Sequence, residues 1–123
     1  MKYVILCSLL IFSSCALDVK QLHGYWQATA FFEEGQRLES ALVDQVSIEF
    51  VPSGRYMFRS SARYTEAGLF RESGQHLFLT DTTQTPNKVR KIKVLYLSTD
   101  SLKIKMGKNG KDRVLFLARK SAQ

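Results

Sequence analysis

From Val46 to Arg119 the chain alternates apolar and polar residues, broken at short intervals by turn formers, and this pattern leaves few folds open. Successive side chains of a strand point to opposite faces, so each alternating run puts one side in a core and the other in water. Val46, Ile48 and Phe50 alternate with Ser47 and Glu49, and Pro52-Ser53-Gly54 then turns. Tyr56, Phe58, Ser60, Ala62 and Tyr64 share a face against Arg55, Met57, Arg59, Ser61 and Arg63. Gly68 and Gly74 bracket a short strand around Leu69-Phe70-Arg71, and the run from Gln75 to Asp81 carries Leu77 and Leu79. A polar loop containing Pro86 follows. Runs from Arg90 to Leu97, Leu102 to Met106 and Val114 to Arg119 are then joined by turns at Thr99-Asp100 and Gly107 to Gly110. Upstream, Tyr25 to Phe32 places Trp26, Ala28, Ala30 and Phe32 on one face before stopping at Glu33-Glu34-Gly35.

These are eight strands with short connections. An open sheet with so many apolar faces would expose unpaired edges, and closing it on itself removes them. The expectation is an all-β fold, an eight-stranded antiparallel up-and-down β-barrel. Between the first two strands, Leu38, Ala41 and Leu42 fall at helical spacing within Gln36 to Gln45, which predicts a short helix or lid segment there.

Gly24 stands two places before the single tryptophan, Trp26, at the start of the first strand, and Arg119 closes the last. This Gly-x-Trp opening with a terminal arginine resembles the lipocalins and their shorter bacterial lipocalin-like relatives, small β-barrels of calycin type. The resemblance covers Leu22 to Arg119 and rests on patterns of residue type. It implies that Trp26 plugs the closed end of the barrel with Arg119 lying across it, that Gly24 admits a close backbone approach, and that the first long loop covers an open mouth. The lipocalin-like domain is then 22–120.

The first residues carry one cation, Lys2, an apolar run from Tyr3 to Phe12, and Ser13-Ser14-Cys15. Ten apolar residues at 1.5 Å each fall short of a bilayer core of about 30 Å, so the run reads as a secretory leader. Its end resembles the lipobox of bacterial lipoproteins, which implies a signal peptide over 1–14, cleavage before Cys15, and acylation of that cysteine with chains such as palmitate. Of the two cysteines, Cys7 lies in the leader, so the mature chain has no intramolecular disulfide. Several acyl chains on Cys15 would make anchoring effectively permanent. Residues 15–21 read as a lipidated tether. Ala16, where an aspartate would by resemblance favour inner-membrane retention, points to the outer membrane of a bacterial envelope.

The formal charge of +7 is unevenly spread: Cys15 to Thr85 holds six cations against nine acids, whereas Pro86 onward holds eleven cations against Asp100 and Asp112. Arg90, Lys91, Lys93, Lys103, Lys105, Lys108, Lys111 and Arg113 form a basic C-terminal surface. Neither His23 nor His76 has a partner at metal-ligand spacing, and Gly107 to Lys111 lacks the strand-to-helix setting of a phosphate cradle, so no metal, cofactor or catalytic group is expected. Small residues facing aromatic ones on the inner faces predict a pocket lined by Ala28, Ala30, Tyr56, Phe58, Ala62, Tyr64, Val94, Tyr96 and Ile104. The functional expectation is a monomeric, membrane-anchored carrier of a small hydrophobic ligand, with no nucleic-acid partner. The alternative is an envelope interaction module that meets a protein or an anionic glycolipid through its basic face.

Overall fold

The structure, a computed structural model, describes residues 17–61, 64–108 and 110–120. Two four-residue helices, α1 (Val19–Leu22) and α2 (Ser40–Val43), accompany β1 (Gly24–Glu33), β2 (Gln36–Arg37), β3 (Ser47–Val51), β4 (Arg55–Ser61), β5 (Tyr64–Ser73), β6 (His76–Asp81), β7 (Lys88–Leu97), β8 (Ser101–Lys108) and β9 (Lys111–Lys120). Strands β3 to β9 follow one another in space, β1 precedes β3, and β1 pairs again with β9 from Tyr25↔Lys120 to Glu33↔Arg113. The result is a closed barrel of eight antiparallel strands in up-and-down order, compatible with a calycin-type fold. β2 is only a hairpin arm on β1, turned by Glu34 (φ 51) and Gly35 (φ 79), the two left-handed residues that a two-residue loop needs. The segment that reads as a leader, 1–14, and Cys15 lie outside the described residues.

The pairing is interrupted in β1 between Ala28 and Ala30, in β4 between Arg59 and Ser61, and in β7 between Val94 and Tyr96. Each bulge inserts one residue, and since side chains alternate strictly, everything beyond it changes face. Two expectations fall here. Ala30 and Phe32 leave the inner face and Phe31 replaces them against the core, while Phe32 meets Phe116 outside, with ring centroids 5.5 Å apart. Tyr96 is likewise outside and 57% exposed, and Leu97 packs inward instead. A third concerns strand bounds. The run that reads as one strand to Tyr64 ends at Ser61, and β5 runs unbroken through Gly68. Gly68 is a glycine because a Cβ there would overlap the Thr80 carbonyl and come within 3.0 Å of the Thr82 nitrogen; the β6 backbone crosses it closely, and no turn forms.

One end of the barrel is sealed by side chains of both termini of the fold. Trp26 is fully buried, and its Nε1 donates to the Leu22 carbonyl at 2.8 Å. The Arg119 guanidinium lies 4.3 Å from the Trp26 ring centre. It donates to His23 O at 2.6 Å, to Thr99 O at 2.6 Å and to Gln21 O, so it ties α1 and the β7–β8 turn across the ring. Gly24, at φ +128, has room for nothing more: a Cβ would stand 2.5 Å from Arg119 Nη1. Residues 19–21 of the segment that reads as a tether form α1 together with Leu22, which is fully buried.

The opposite end gathers the β1–β3, β4–β5, β6–β7 and β8–β9 connections and is the mouth. Here β3 stops accompanying β1 after Gln27↔Ser47, while β1 continues on β9. α2 packs into the wedge that opens. Val43, 3% exposed, turns into the core and Leu42, 55% exposed, turns away, so the buried face is not the predicted Leu38, Ala41 and Leu42. Between plug and mouth, Ile48, Phe50, Leu77, Leu79, Ile92, Val94, Leu102, Ile104, Leu115 and Leu117 make a continuous apolar interior.

Candidate functional site

Near the mouth the hydrocarbon interior gives way to charge. Glu66 is the third residue of β5, opposite Phe58, on the inner face it shares with Tyr64, Gly68 and Phe70. It is 1% exposed. A carboxylate survives such burial only if its lone pairs are filled and its charge is met. Both conditions hold. Oε2 accepts from the Tyr56 hydroxyl at 2.8 Å, and Oε1 accepts from the Tyr64 hydroxyl at 3.0 Å and from Arg90 Nε at 3.1 Å. Arg90 Nη2 also lies 3.1 Å from Oε1 and reaches the Tyr64 hydroxyl at 3.4 Å.

These contacts set the protonation states. Burial, then the hydrogen bond to Glu66 and its charge, push the Tyr56 phenol far above the ordinary tyrosine value; Asp81 adds to the push and Arg90 opposes it. Tyr64 is raised by the same burial and the same carboxylate. Burial works against the Arg90 charge, but Glu66 and Tyr64 more than offset it, leaving the guanidinium above its ordinary value. Tyr56 and Tyr64 therefore act as neutral donors beside a Glu66–Arg90 ion pair.

Asp81, the last residue of β6, faces Gly68 across the ladder and is fully buried. Its Oδ1 accepts from the Thr83 amide at 2.8 Å and the Thr83 hydroxyl at 2.5 Å. Its Oδ2 is buried and has no hydrogen-bond partner among the described residues. On another wall of the mouth, Arg113 Nη2 lies 3.5 Å from Glu33 Oε1, with Lys111 Nζ at 3.9 Å from the same oxygen. Glu33, the last residue of β1, is thus held in an ion-pair cluster.

Of the residues read from sequence as pocket walls, Ala28, Tyr56, Val94 and Ile104 are buried in the interior, and Phe58 is half-buried against it. Tyr64 stands at the rim, 37% exposed and bound to Glu66. Ala30 and Tyr96 are on the outer wall, and Ala62 lies outside the described residues. Glu66 and Asp81 went unread because acidic residues default to the surface. A signal existed: counting back in twos from the apolar Phe70 passes Gly68 and arrives at Glu66 and Tyr64 on the same face.

The outer wall carries its own feature. Two shallow grooves, of about 480 Å³ and about 320 Å³, share Leu95, Lys103 and Phe116, and the first also touches Tyr96 while the second touches Phe32 and Val114. Lys103 Nζ hangs 4.8 Å over the Phe116 ring. Lys93 and Lys105 are register partners beside it.

Among the described residues no group of three or more His, Cys, Asp or Glu side chains is placed to hold a metal ion, and no helix is long and apolar enough to cross a membrane. No protein-family model, curated protein or solved structure matches the chain.

Proposed function

We propose that the chain is a non-catalytic, membrane-tethered, lipocalin-like binding protein that carries a small, mostly apolar molecule inside its barrel. The observation that carries the reading is the Glu66 cluster, a few convergent polar groups near the mouth of an apolar interior whose other end Trp26 seals. Binding sites for small molecules have this composition, hydrocarbon walls for affinity and a few placed polar groups for orientation. Uptake requires the short α2 to yield, since Val43 occupies the mouth side of the core. A helix of four residues with one inward side chain is an inexpensive cover to displace.

Titration with the neutral dye Nile red tests the reading. Saturable one-to-one binding that Ala28→Phe weakens, with the Trp26 emission unchanged, supports an interior site. Dye binding indifferent to Ala28→Phe, or no saturable binding, refutes it. Anchoring and outer-membrane residence rest on the Ser13-Ser14-Cys15 sequence. Cys15→Ser should move the protein from the membrane to the soluble fraction, and a variant that stays bound would remove that part of the proposal.

A second reading is favoured by the outer wall, where Lys93, Lys103 and Lys105 flank the exposed Leu95, Tyr96 and Phe116 groove. Lysines that rim an apolar strip suit an anionic glycolipid surface, with each cation contributing about 1 kcal/mol near the charges and screened within about 8 Å at physiological salt. Vesicle binding that needs anionic lipid and falls with salt supports it, and equal binding to neutral vesicles counts against it.

A further inference from the structure

Asp81 places a carboxylate where a well-satisfied barrel has no use for one. Leu77, Leu79 and Asp81 are the three buried, inward positions of β6, so the charge continues an apolar stripe toward the mouth. Its Oδ1 is spoken for by Thr83, whereas Oδ2 is buried with no donor among the described residues. Buried polar atoms in native proteins are nearly always paired, so an unpaired one calls for an explanation, and a bound donor is one. The neighbouring groups do not supply the donor. The Tyr56 proton goes to Glu66 Oε2, and Arg90 and Tyr64 are turned on Glu66 Oε1. Around this corner of the mouth two buried carboxyl groups, Glu66 and Asp81, both act on the Tyr56 phenol, while the guanidinium there, Arg90, is bonded to Glu66.

We propose that Asp81 Oδ2, beside Tyr56 and Glu66, is the anchor for a cationic, hydrogen-bond-donating head group, a primary ammonium on an apolar ligand. This deepens the carrier reading and rests on it. An ammonium supplies a donor for Oδ2 and a unit of positive charge, and in a buried setting both are worth more than in water. A neutral hydroxyl supplies only the first. A carboxylate supplies neither and is repelled by the two acids. Approach is from the mouth, where Tyr64 and the Arg90 side chain, 29% exposed, are the outer members of the cluster. The apolar tail then lies against Val94 and the Leu77–Leu79 stripe, in the space that Val43 closes.

Among the described residues there is a rival donor. Lys88 is the register partner of Asp81 on β7, and its side chain is exposed. The experiment must separate the two. Calorimetric titration of the full-chain protein at neutral pH with hexylamine, hexanol and hexanoate compares one tail with three heads. The amine should bind at least about tenfold more tightly than either of the others. Asp81→Asn, which keeps the Oδ1 acceptor for Thr83, should abolish that preference, bringing the amine down to the affinity of hexanol. Lys88→Met should leave the preference intact. If the three probes bind equally, the carrier reading stands and the head-group assignment is overturned; if none binds, both fall. Loss of the amine preference in Lys88→Met would also overturn it. The ranking in the wild type remains decisive even where Asp81→Asn is poorly folded.

Discussion

Replacing Arg90 by leucine removes the only described cation in contact with a carboxylate that is 1% exposed. Taking one partner from a buried ion pair typically destabilises by about 3 to 5 kcal/mol, because the charge left behind has no water to turn to. Glu66 retains the Tyr56 and Tyr64 hydroxyls, and the Arg90 side chain is itself 29% exposed, so the lower end, about 3 kcal/mol, applies here. For a domain of this size that lowers Tm by on the order of 15 °C. Glu66→Leu should be milder, about 1 to 2 kcal/mol, since a guanidinium that reaches the mouth can recover water. The double leucine variant carries neither charge, so it should lose about 2 kcal/mol less than the two single losses together. The protein contains one tryptophan, Trp26, fully buried at the far end of the barrel, so its emission reports global unfolding in urea without touching the cluster. Equal losses for the two single variants, strictly additive in the double, would show that Glu66 and Arg90 are not coupled and refute the reasoning.

The Tyr56 phenol, raised in the fold chiefly by burial, contributes stability that is fully present below the unfolded phenol value of about 10 and is lost as pH rises above it. Tyr56→Phe should therefore lose stability less steeply than wild type on the alkaline side; parallel alkaline denaturation curves would contradict this. Gly68→Ala drives a methyl into the Thr80 carbonyl and should destabilise by about 1 to 3 kcal/mol by forcing β5 and β6 apart, read as a fall in Tm. Trp26→Ala should cost about 3 to 5 kcal/mol, since the ring is fully buried. Arg119→Ala should cost less, and the pair should be sub-additive because the guanidinium sits over the ring. Additive losses in chemical denaturation would oppose that contact.

The strand pattern was legible because solvent on one side of a barrel wall forces alternation, and Val46 to Arg119 displays it in nearly every strand. The plug was legible too: the lone tryptophan and the terminal arginine occupy paired positions in β1 and β9. What the pattern could not show is where it slips. A bulge adds one residue without changing composition, so Ala30 and Tyr96 keep the look of inner-face residues while the inserted residue turns them outward. Gly68 read as a strand end because glycine usually punctuates; only the path of the Thr80 backbone shows it to be a crossing point. The site was hidden for a different reason. Glu66 and Asp81 are held inside by Tyr56 and Arg90, distant in sequence from Glu66, and by Tyr64 and Thr83, two residues away, and the alternation that puts Glu66 on the inner face does not show which groups meet it there.

Whether the barrel carries a small molecule is tested by mass spectrometry of an organic extract of the full-chain protein purified from its native membrane. About one equivalent of an apolar molecule bearing a basic nitrogen is expected, lost when Asp81 is changed to asparagine. An extract holding nothing beyond bulk membrane lipid, identical for wild type and Asp81→Asn, would contradict the carrier reading.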